Sequence, residues 1–261
     1  MHIGAACPDA SARQHAVFVR QMKRLGAEVV EMPFVHGAYD SIFAKDSGVL
    51  RDDGRARRAL MARHRYAERE QEQTDRQRHF LDAGFQVVAA PLCELEGGDV
   101  VRSAGIPFAL LGYGFRSSRA AARPLERFLC ADVITLELRD PELYHLDTAL
   151  AVLDDGAALV CEEAFTPESV RVLRALPFAR LYRVPRHEAV EFALNIVEVE
   201  KSVLTGSDGI HGGVEVARIL RSRGLLPVPV PLSEFHRAGG SAACLVARVT
   251  TDVRAQLKCA A

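Results

Sequence analysis

The chain has 261 residues, a formal net charge of -1 and a composition that is 49% hydrophobic and 26% charged. This balance is typical of a globular protein, whereas a nucleic-acid-binding domain carries an excess of basic charge. No run of eighteen apolar residues predicts a membrane span. The first residues lack the basic and apolar regions of an export signal. We therefore expect a cytoplasmic protein with no membrane and no nucleic-acid partner.

Six cysteines are scattered along the chain, and no two of them form a C-x-x-C pair: Cys7, Cys93, Cys130, Cys161, Cys244 and Cys259. This spacing argues against a structural zinc site and against a thioredoxin-like redox motif. A cytoplasmic location favours reduced thiols. Most of the six should be small residues of the buried core.

Short apolar runs alternate with helical patterns along the whole chain, as in an α/β protein. Helices are predicted over 11–25, 58–82, 118–130 and 211–223. A further helix should begin after Thr166, a good N-cap, with Pro167 at its first position. Strands are predicted over 27–32, 85–90, 100–102, 107–111, 133–138, 148–153, 157–161, 225–231 and 242–249. Asp155-Gly156 between two of these strands is typical of a hairpin turn.

A weak internal repeat organises these elements. A small or polar residue precedes an apolar strand at five places, 46 to 53 residues apart: Asp46, Asp99, Asp147, Asn195 and Ser241. Chance spacing of αβ elements can imitate such a pattern, but the polar residue holds the same place in all five units. We therefore predict a single domain over 1–261, built from five αβ units of about fifty residues around an axis. The five positions would converge on one central site, where a cation could sit among carboxylates.

Two motifs place pairs of polar side chains beside predicted strands. His145 and Asp147 are two residues apart, so a strand would direct both side chains to one face. Glu96 and Asp99 flank two glycines, which permit a tight turn and the close approach of other groups. Both motifs also have an ordinary interpretation as polar turns before strands.

Three further segments carry groups of interest. Asp40 and Asp46 stand at the two ends of a short apolar segment, although acidic residues are uncommon in strands. Cys244 follows a Gly-Gly turn at the start of a predicted strand. Arg116 lies in a glycine-containing loop before a helix, where it could meet an anion. Taken alone, these are ordinary turn residues, a core thiol and a solvated arginine.

Together these groups suit chemistry on a guanidinium. Carboxylates such as Asp46 and Asp147 can hold this planar cation by paired hydrogen bonds. Its carbon is a poor electrophile, so attack requires a strong nucleophile, and a Cys244 thiolate is suited to the task. His145 would move protons near neutral pH, and Glu96 would hold its imidazole and favour the charged form.

The same segments resemble those of the guanidine-modifying superfamily, which includes amidinotransferases, arginine deiminases and dimethylarginine dimethylaminohydrolases. The resemblance covers nearly the whole chain. It rests on FAKD ending at Asp46, EGGD beginning at Glu96, GFRS around Arg116, HLD beginning at His145 and GGSAAC ending at Cys244. It implies an α/β fold of the five-bladed αβ propeller (pentein) type, with pseudo-fivefold strand-strand-helix repeats around a central active site.

The resemblance also implies a role for eight residues and calls for no metal and no cofactor. Three residues would be catalytic: Cys244 as nucleophile, His145 as general acid and base, and Glu96 as the carboxylate partner of His145. The other five would bind a small guanidino substrate: Asp46 and Asp147 around the guanidinium, Arg116 and Arg65 toward the substrate carboxylate, with Arg65 on a mobile lid, and Asp40 as a further substrate-binding candidate.

The chain is most similar in length to dimethylarginine hydrolases, which favours dimethylarginine as substrate, with citrulline and dimethylamine as products. Two positions depart from that group: Lys45 stands where the vertebrate enzymes carry Glu, and Asp147 resembles deiminases and amidinotransferases. Arginine deimination and amidino transfer therefore stay open. Outside this chemistry, we consider a non-catalytic protein that binds a cationic amino acid, and a metal hydrolase using His145, Asp147 and Asp99. A homodimer is compatible with the sequence.

Overall fold

The structure is a computed structural model that describes residues 6–206 and 213–251. It is an α/β fold in which small sheets alternate with short helices. The described helices are α1 (Pro8–Arg24), α2 (Glu72–Asp82), α3 (Ala122–Leu129), α4 (Leu146–Ala149), α5 (Pro167–Ala175), α6 (Arg186–Ala189), α7 (Val214–Ser222) and α8 (Ser233–Ala238). Short 3₁₀ turns cover Tyr39–Ile42, Ala44–Ser47, Ala67–Arg69, Gly97–Asp99, Arg119–Ala121 and Glu162–Ala164.

The strands form four sheets in the described part of the chain. They are β1 (Gly48–Asp52), β2 (Arg57–Met61), β3 (Gln86–Val88), β4 (Val100–Val101), β5 (Ala109–Tyr113), β6 (Val133–Glu137), β7 (Leu150–Val152), β8 (Ala157–Val160), β9 (Arg180–Arg183), β10 (Val197–Val199), β11 (Ser202–Thr205), β12 (Leu226–Pro229) and β13 (Thr250–Thr251). The sheet orders are β13-β1-β2-β3, β4-β5-β6, β7-β8-β9 and β10-β11-β12.

The four sheets repeat one pattern. In each, the first two strands pair antiparallel and the third pairs parallel to the second. A parallel pair needs a crossover, and α2, α3, α5 and α7 supply it between the second and third strands. The predicted hairpin between 148–153 and 157–161 is confirmed as β7 and β8, joined by a turn in which Gly156 has φ 83°. Thr166 caps α5 as expected, accepting a hydrogen bond from the Ser169 amide.

The polar positions of the repeat lie where each unit begins. Asp46 and Asp99 lie in 3₁₀ turns directly before β1 and β4, Asp147 lies in α4 before β7, and Asn195 lies two residues before β10. This placement bears out the strand-strand-helix repeat for four units. In the described residues no sheet closes on itself, and the part that follows Ser241 differs from the other four.

Two predicted strands are wrong. Residues 27–32 are irregular and belong to none of the described strands. Val30 is 64% exposed, so the apolar side chains of this segment are not all buried as the prediction required. Residues 242–249 form a turn and an irregular segment instead of a strand, because the backbone of Cys244 bonds to the Asn195 side chain and the Lys45 amide rather than to a ladder. Only β13 pairs with β1 in that region.

The predicted helix over 58–82 is also too long. Its first residues form β2, which pairs with β1 on one side and β3 on the other. Ala59, Leu60 and Met61 are all buried, as expected for a strand with neighbours on both edges. The charged residues around this short apolar run concealed it, and the helix begins only at Glu72.

The hydrophobic core includes strands that follow the polar positions of the repeat. The largest cluster of buried apolar side chains joins β5, β7 and β8 to the helices α4, α5 and α7. Of the described helices, none has both the length and the hydropathy that a bilayer crossing requires.

Cys130 is disulfide-bonded, so the expectation that all thiols are reduced is wrong at this residue.

Candidate active site

The close packing of the site depends on two glycines. A Cβ atom on Gly98 would lie 2.7 Å from Nδ1 of His145 and 2.8 Å from Oδ1 of Asp46. A Cβ atom on Gly97 would lie 1.9 Å from the Lys45 carbonyl oxygen. Real side chains do not tolerate such distances, so only glycine lets the segment after Glu96 pass between these groups.

His145 and Glu96 form a buried hydrogen-bonded pair. Nε2 of His145 lies 2.9 Å from Oε2 of Glu96. The other Glu96 oxygen accepts from the Arg65 amide at 3.1 Å, and Arg116 donates to Oε2 at 3.3 Å. Burial favours a neutral carboxyl, but the hydrogen bond from His145 and the positive charges of His145 and Arg116 hold the pKa of Glu96 well below its usual range.

The same surroundings keep His145 charged. Burial alone would lower its pKa, but the charge of Asp46 and the hydrogen bond to Glu96 outweigh burial and raise the pKa of His145 to about 9. Near neutral pH the ring is therefore an imidazolium that can donate a proton. Its Nδ1 atom lies 3.9 Å from Oδ1 of Asp46.

Asp46 is a fully paired carboxylate. Its Oδ1 accepts from the Gly98 amide at 3.0 Å, and its Oδ2 accepts from Nη1 of Arg69 at 2.8 Å. Arg69 also forms two hydrogen bonds with Glu72, at 2.7 and 3.1 Å. Burial would raise the pKa of Asp46, but His145 and Arg69 lower it below its usual value.

Cys244 lies beside a carboxylate and an amide. Its Sγ atom is 3.9 and 4.0 Å from the two Asp147 oxygens, and Nδ2 of Asn195 donates to it at 3.2 Å. The Cys244 amide donates in turn to Oδ1 of Asn195 at 3.1 Å. Burial, and then the charges of Asp147 and Asp46, raise the pKa of the Cys244 thiol well above its usual value, while Lys45 acts in the opposite direction.

Asp147 is held by an internal cation. Nζ of Lys45 lies 2.9 Å from Oδ2 of Asp147, and the Lys45 amide donates to the Cys244 carbonyl oxygen at 3.1 Å. Asp46 and Asp147, which the sequence predicts around a guanidinium, each already have a positively charged partner. The expectation of a strand at His145 is also wrong: His145 precedes α4, and Asp147 lies within that helix.

The three remaining predicted substrate contacts lie around this centre. Arg116 is stacked between Tyr66 and Tyr144, at 4.9 and 4.6 Å from their ring centres, and points to Glu96. Arg65 has an exposed side chain, and its amide touches Glu96. Asp40 is half-buried, and burial raises its pKa.

Asp99 binds backbone amides through both oxygens, which argues against the predicted metal site formed by His145, Asp147 and Asp99. Its two oxygens accept from the Leu146 amide at 3.1 Å and the Ser117 amide at 2.9 Å, which anchors the start of α4. Burial raises the pKa of Asp99 to about 6. In the described residues, a different trio has possible metal-ligand atoms within 4.8 Å of one another: Asp46, Glu96 and His145. There Arg69 and Arg116 already neutralise the carboxylates.

Sequence reasoning missed four residues of the site: Lys45 as a cation on Asp147, Asn195 beside the thiol, Arg69 on Asp46, and His64. His64 is fully buried, its Nδ1 atom lies 3.7 Å from Oε1 of Glu96, and neither ring nitrogen has a hydrogen-bond partner among the described residues. The repeat identified the position of Asn195 but gave it no role. Arg69 lies in a segment so rich in charge that nothing marked it as buried.

Comparison with known proteins fits this geometry. A scan against models of protein families gave no match. The chain is 33% identical over 226 residues to the N(G),N(G)-dimethylarginine dimethylaminohydrolase of Mycobacterium tuberculosis, covering 85% of this chain and 70% of that protein. It is 32% identical over 221 residues to the bifunctional arginine dihydrolase/ornithine cyclodeaminase AgrE of Nostoc sp., covering 82% of this chain and 30% of AgrE. The chain thus spans about a third of the bifunctional relatives' length.

Solved structures of related enzymes share the fold of this chain. The N-terminal domain of the cyanobacterial arginine dihydrolase ArgZ, covalently bound to a reaction intermediate, superposes with a TM-score of 0.86 at 26% identity, over 94% of this chain and 89% of that domain. Dimethylarginine dimethylaminohydrolase from Pseudomonas aeruginosa, complexed with citrulline, superposes with a TM-score of 0.75 at 18% identity, covering 94% and 90% of the two chains, and this shows a shared fold.

These relatives define the class: the chain is a hydrolase of carbon–nitrogen bonds in linear amidines. It belongs to the guanidine-modifying superfamily, which contains the dimethylarginine dimethylaminohydrolases and the arginine dihydrolases. The resemblance predicted from the sequence motifs is confirmed.

Proposed function

We propose that this chain hydrolyses a guanidino amino acid through a thiouronium formed on Cys244, and that dimethylarginine is the substrate, giving citrulline and dimethylamine. The observation that carries the proposal is the arrangement of a buried thiol beside Asp147 with a separate His145–Glu96 pair. A nucleophile and a proton carrier in one buried site are what substitution at a guanidinium carbon requires.

The first step depends on the substrate's own charge. The Cys244 thiol has a pKa well above its usual value in the empty site, because burial and Asp147 disfavour a thiolate. A bound guanidinium brings a positive charge next to the sulfur and offsets both effects. The thiol proton passes to bulk water as the guanidinium binds, and Sγ uses the freed electron pair to form a bond with the guanidinium carbon.

The second and third steps use His145. As the carbon–nitrogen bond breaks, the imidazolium donates its proton to the departing amine, and a thiouronium remains on Sγ. The now neutral imidazole accepts a proton from water as that water attacks the same carbon. The carbon–sulfur bond breaks and its electron pair returns to sulfur. The proton on the new oxygen passes to water, which releases a neutral ureido product, and the thiolate takes up a proton from water to restore the thiol. Glu96 holds the ring in place through both transfers.

We also propose that five units surround this site, as a five-bladed propeller forming a single domain. Four similar sheets with polar residues at equivalent positions support this arrangement. Hydrogen bonds between units support it as well: the Gly98 amide donates to Asp46, the Leu146 amide donates to Asp99, and the Lys45 amide donates to the Cys244 carbonyl. The last of these links the final unit to the first.

A second candidate substrate is arginine. Two relatives are bifunctional arginine dihydrolases, and the ArgZ domain superposes closely on this chain. A carboxylate beside the thiol also suits an unsubstituted guanidinium, since methyl groups remove N–H donors.

The test is to incubate the purified chain with dimethylarginine, arginine and agmatine and to measure the ureido product and the released amine. We expect citrulline with dimethylamine from dimethylarginine, and no product from Cys244→Ala. Ammonia and citrulline from arginine alone would favour the second substrate, and a guanidino product made from an added amine would indicate amidino transfer. Full activity of Cys244→Ala would refute the mechanism, and tight binding of arginine without turnover or adduct would identify a binding protein.

A further inference from the structure

The carboxylates of the site differ in how firmly their positive partners are held. Asp46 is paired with Arg69, whose side chain is only 4% exposed and which is also fixed by two bonds to Glu72. Asp147 is paired with Lys45, whose side chain is 19% exposed and for which no second carboxylate partner is seen among the described residues. Lysine is a point charge on a flexible stem, whereas arginine is a rigid fork. Of these two ion pairs, the one between Lys45 and Asp147 lies beside the thiol.

The ion pair between Lys45 and Asp147 borders both a cavity and the thiol. Lys45 and Asp147 both line a cavity of about 140 Å³, together with apolar side chains of β7 such as Leu150 and Val152. Asp147 also lies within 4.0 Å of the Cys244 sulfur. A guanidinium placed for attack by that sulfur therefore meets an Asp147 carboxylate that already has one oxygen occupied.

We infer that Lys45 determines which guanidino substrates the site prefers, because its ammonium group on one oxygen of Asp147 crowds and repels a guanidinium N–H there and leaves the other oxygen as the substrate's acceptor. The inference rests on the proposed function, because it concerns the same guanidinium position. With one free oxygen, Asp147 accepts one N–H from the substrate. An arginine with two terminal NH₂ groups then gains nothing over a dimethylated substrate that retains one of them.

Removal of Lys45 should give arginine an advantage in affinity over the dimethylated substrate. A free Asp147 can accept two parallel N–H bonds from an unsubstituted guanidinium, whereas a dimethylated nitrogen has no N–H to offer. One extra hydrogen bond to a charged group corresponds to a change of about tenfold or more in relative affinity. Arginine should therefore gain on dimethylarginine by about this factor.

The experiment measures binding in an inactive background, so that turnover does not enter. Calorimetry gives the dissociation constants of arginine and of Nω,Nω-dimethylarginine for Cys244→Ser and for Cys244→Ser combined with Lys45→Met. The ratio of the two constants is the readout, because partial unfolding affects both ligands equally. Lys45→Arg keeps a cation on Asp147, and Lys23→Met removes an exposed lysine paired with Glu31.

We expect Lys45→Met to shift the ratio toward arginine by about tenfold, with Lys45→Arg and Lys23→Met close to the parent. An unchanged ratio in Lys45→Met, or the absence of binding by either ligand, overturns the inference. Turnover by the wild-type chain is measured separately. A shifted binding ratio without any ureido product would refute the proposed function and leave the inference standing.

Discussion

The two sides of the site are built on opposite principles. The imidazole side (His145, Glu96, Asp46 and Arg69) consists of charged groups that satisfy one another, with every carboxylate oxygen of Glu96 and Asp46 bonded to a donor. The thiol side (Cys244, Asp147, Asn195 and Lys45) places a thiol next to a carboxylate, and the pKa of that thiol is well above its usual value.

The difference indicates that only one side is ready for reaction before substrate arrives. The imidazole side already holds its proton donor in the charged form, with a pKa of about 9 for His145. In the proposed mechanism, the thiol side acquires a reactive thiolate when the guanidinium cation of the substrate binds. Such an arrangement protects the empty enzyme from reaction with other electrophiles, because the neutral thiol is a weak nucleophile.

Replacing His145 should have the largest effect on rate. In His145→Gln the leaving amine has no proton donor and the attacking water has no base, so we expect kcat to fall by about 10²–10⁴-fold. Initial rates of ureido product measure this. His187→Gln, an exposed histidine after the start of α6, is the matched control. A loss of less than about tenfold would show that another group moves the proton.

Replacing Arg69 should have the largest effect on stability. Arg69→Met leaves Asp46 and Glu72 buried without their shared cation, so we expect the free energy of unfolding to fall by about 3–5 kcal/mol. Urea denaturation measures this. Arg218→Met removes an exposed pair with Glu215 and should change stability by less than about 1 kcal/mol. Equal effects of the two substitutions would contradict the contrast between buried and exposed pairs.

Replacing Glu96 should move the pH profile. The hydrogen bond and charge of Glu96 help to raise the pKa of His145 to about 9, so activity that requires imidazolium should decline as pH rises through that value. In Glu96→Gln the alkaline decline should move downward by about 1–3 pH units.

The raised pKa of His145 also makes the stability of the fold depend on pH. A raised folded-state pKa of His145 stabilises the protein fully below the pKa of the unfolded state, and this contribution disappears as pH rises through about 9. Rate profiles and urea denaturation between pH 6 and 10 test both statements for wild type and Glu96→Gln. An alkaline decline that stays in place after the substitution would separate Glu96 from the proton donor.

Replacing Asn195 should have the smallest effect of the four. Its side chain donates to the sulfur and to the Asp147 carbonyl oxygen and accepts from the Cys244 amide, and loss of the bond to the sulfur alone corresponds to about a tenfold lower rate of thiolate attack. We expect Asn195→Ala to slow adduct formation in a rapid-quench measurement by about this factor. If the variant instead slowed only the release of product, the amide would act after attack and not on the nucleophile.

The sequence predicted candidate groups for the site better than their ion-pair partners. Cys244, His145 and Glu96 were predicted from short motifs taken together and from the resemblance that those motifs carry, and their catalytic roles stay predictions. Lys45 and Arg69 were missed as ion-pair partners because a charged residue looks the same in sequence whether it is solvated or buried. The repeat predicted four units correctly, whereas the apolar pattern over 242–249 indicated a strand that the bonds around Cys244 replace with a turn.

The most direct test of the account is the mass of the enzyme trapped during turnover. Wild-type chain is mixed with arginine or with Nω,Nω-dimethylarginine, quenched in acid and analysed by intact-protein and peptide mass spectrometry. The account predicts an adduct on Cys244 with the same mass from either substrate that reacts, because the departing amine carries the methyl groups away. Citrulline formed without any adduct on Cys244, or an adduct that keeps the two methyl groups, would contradict it.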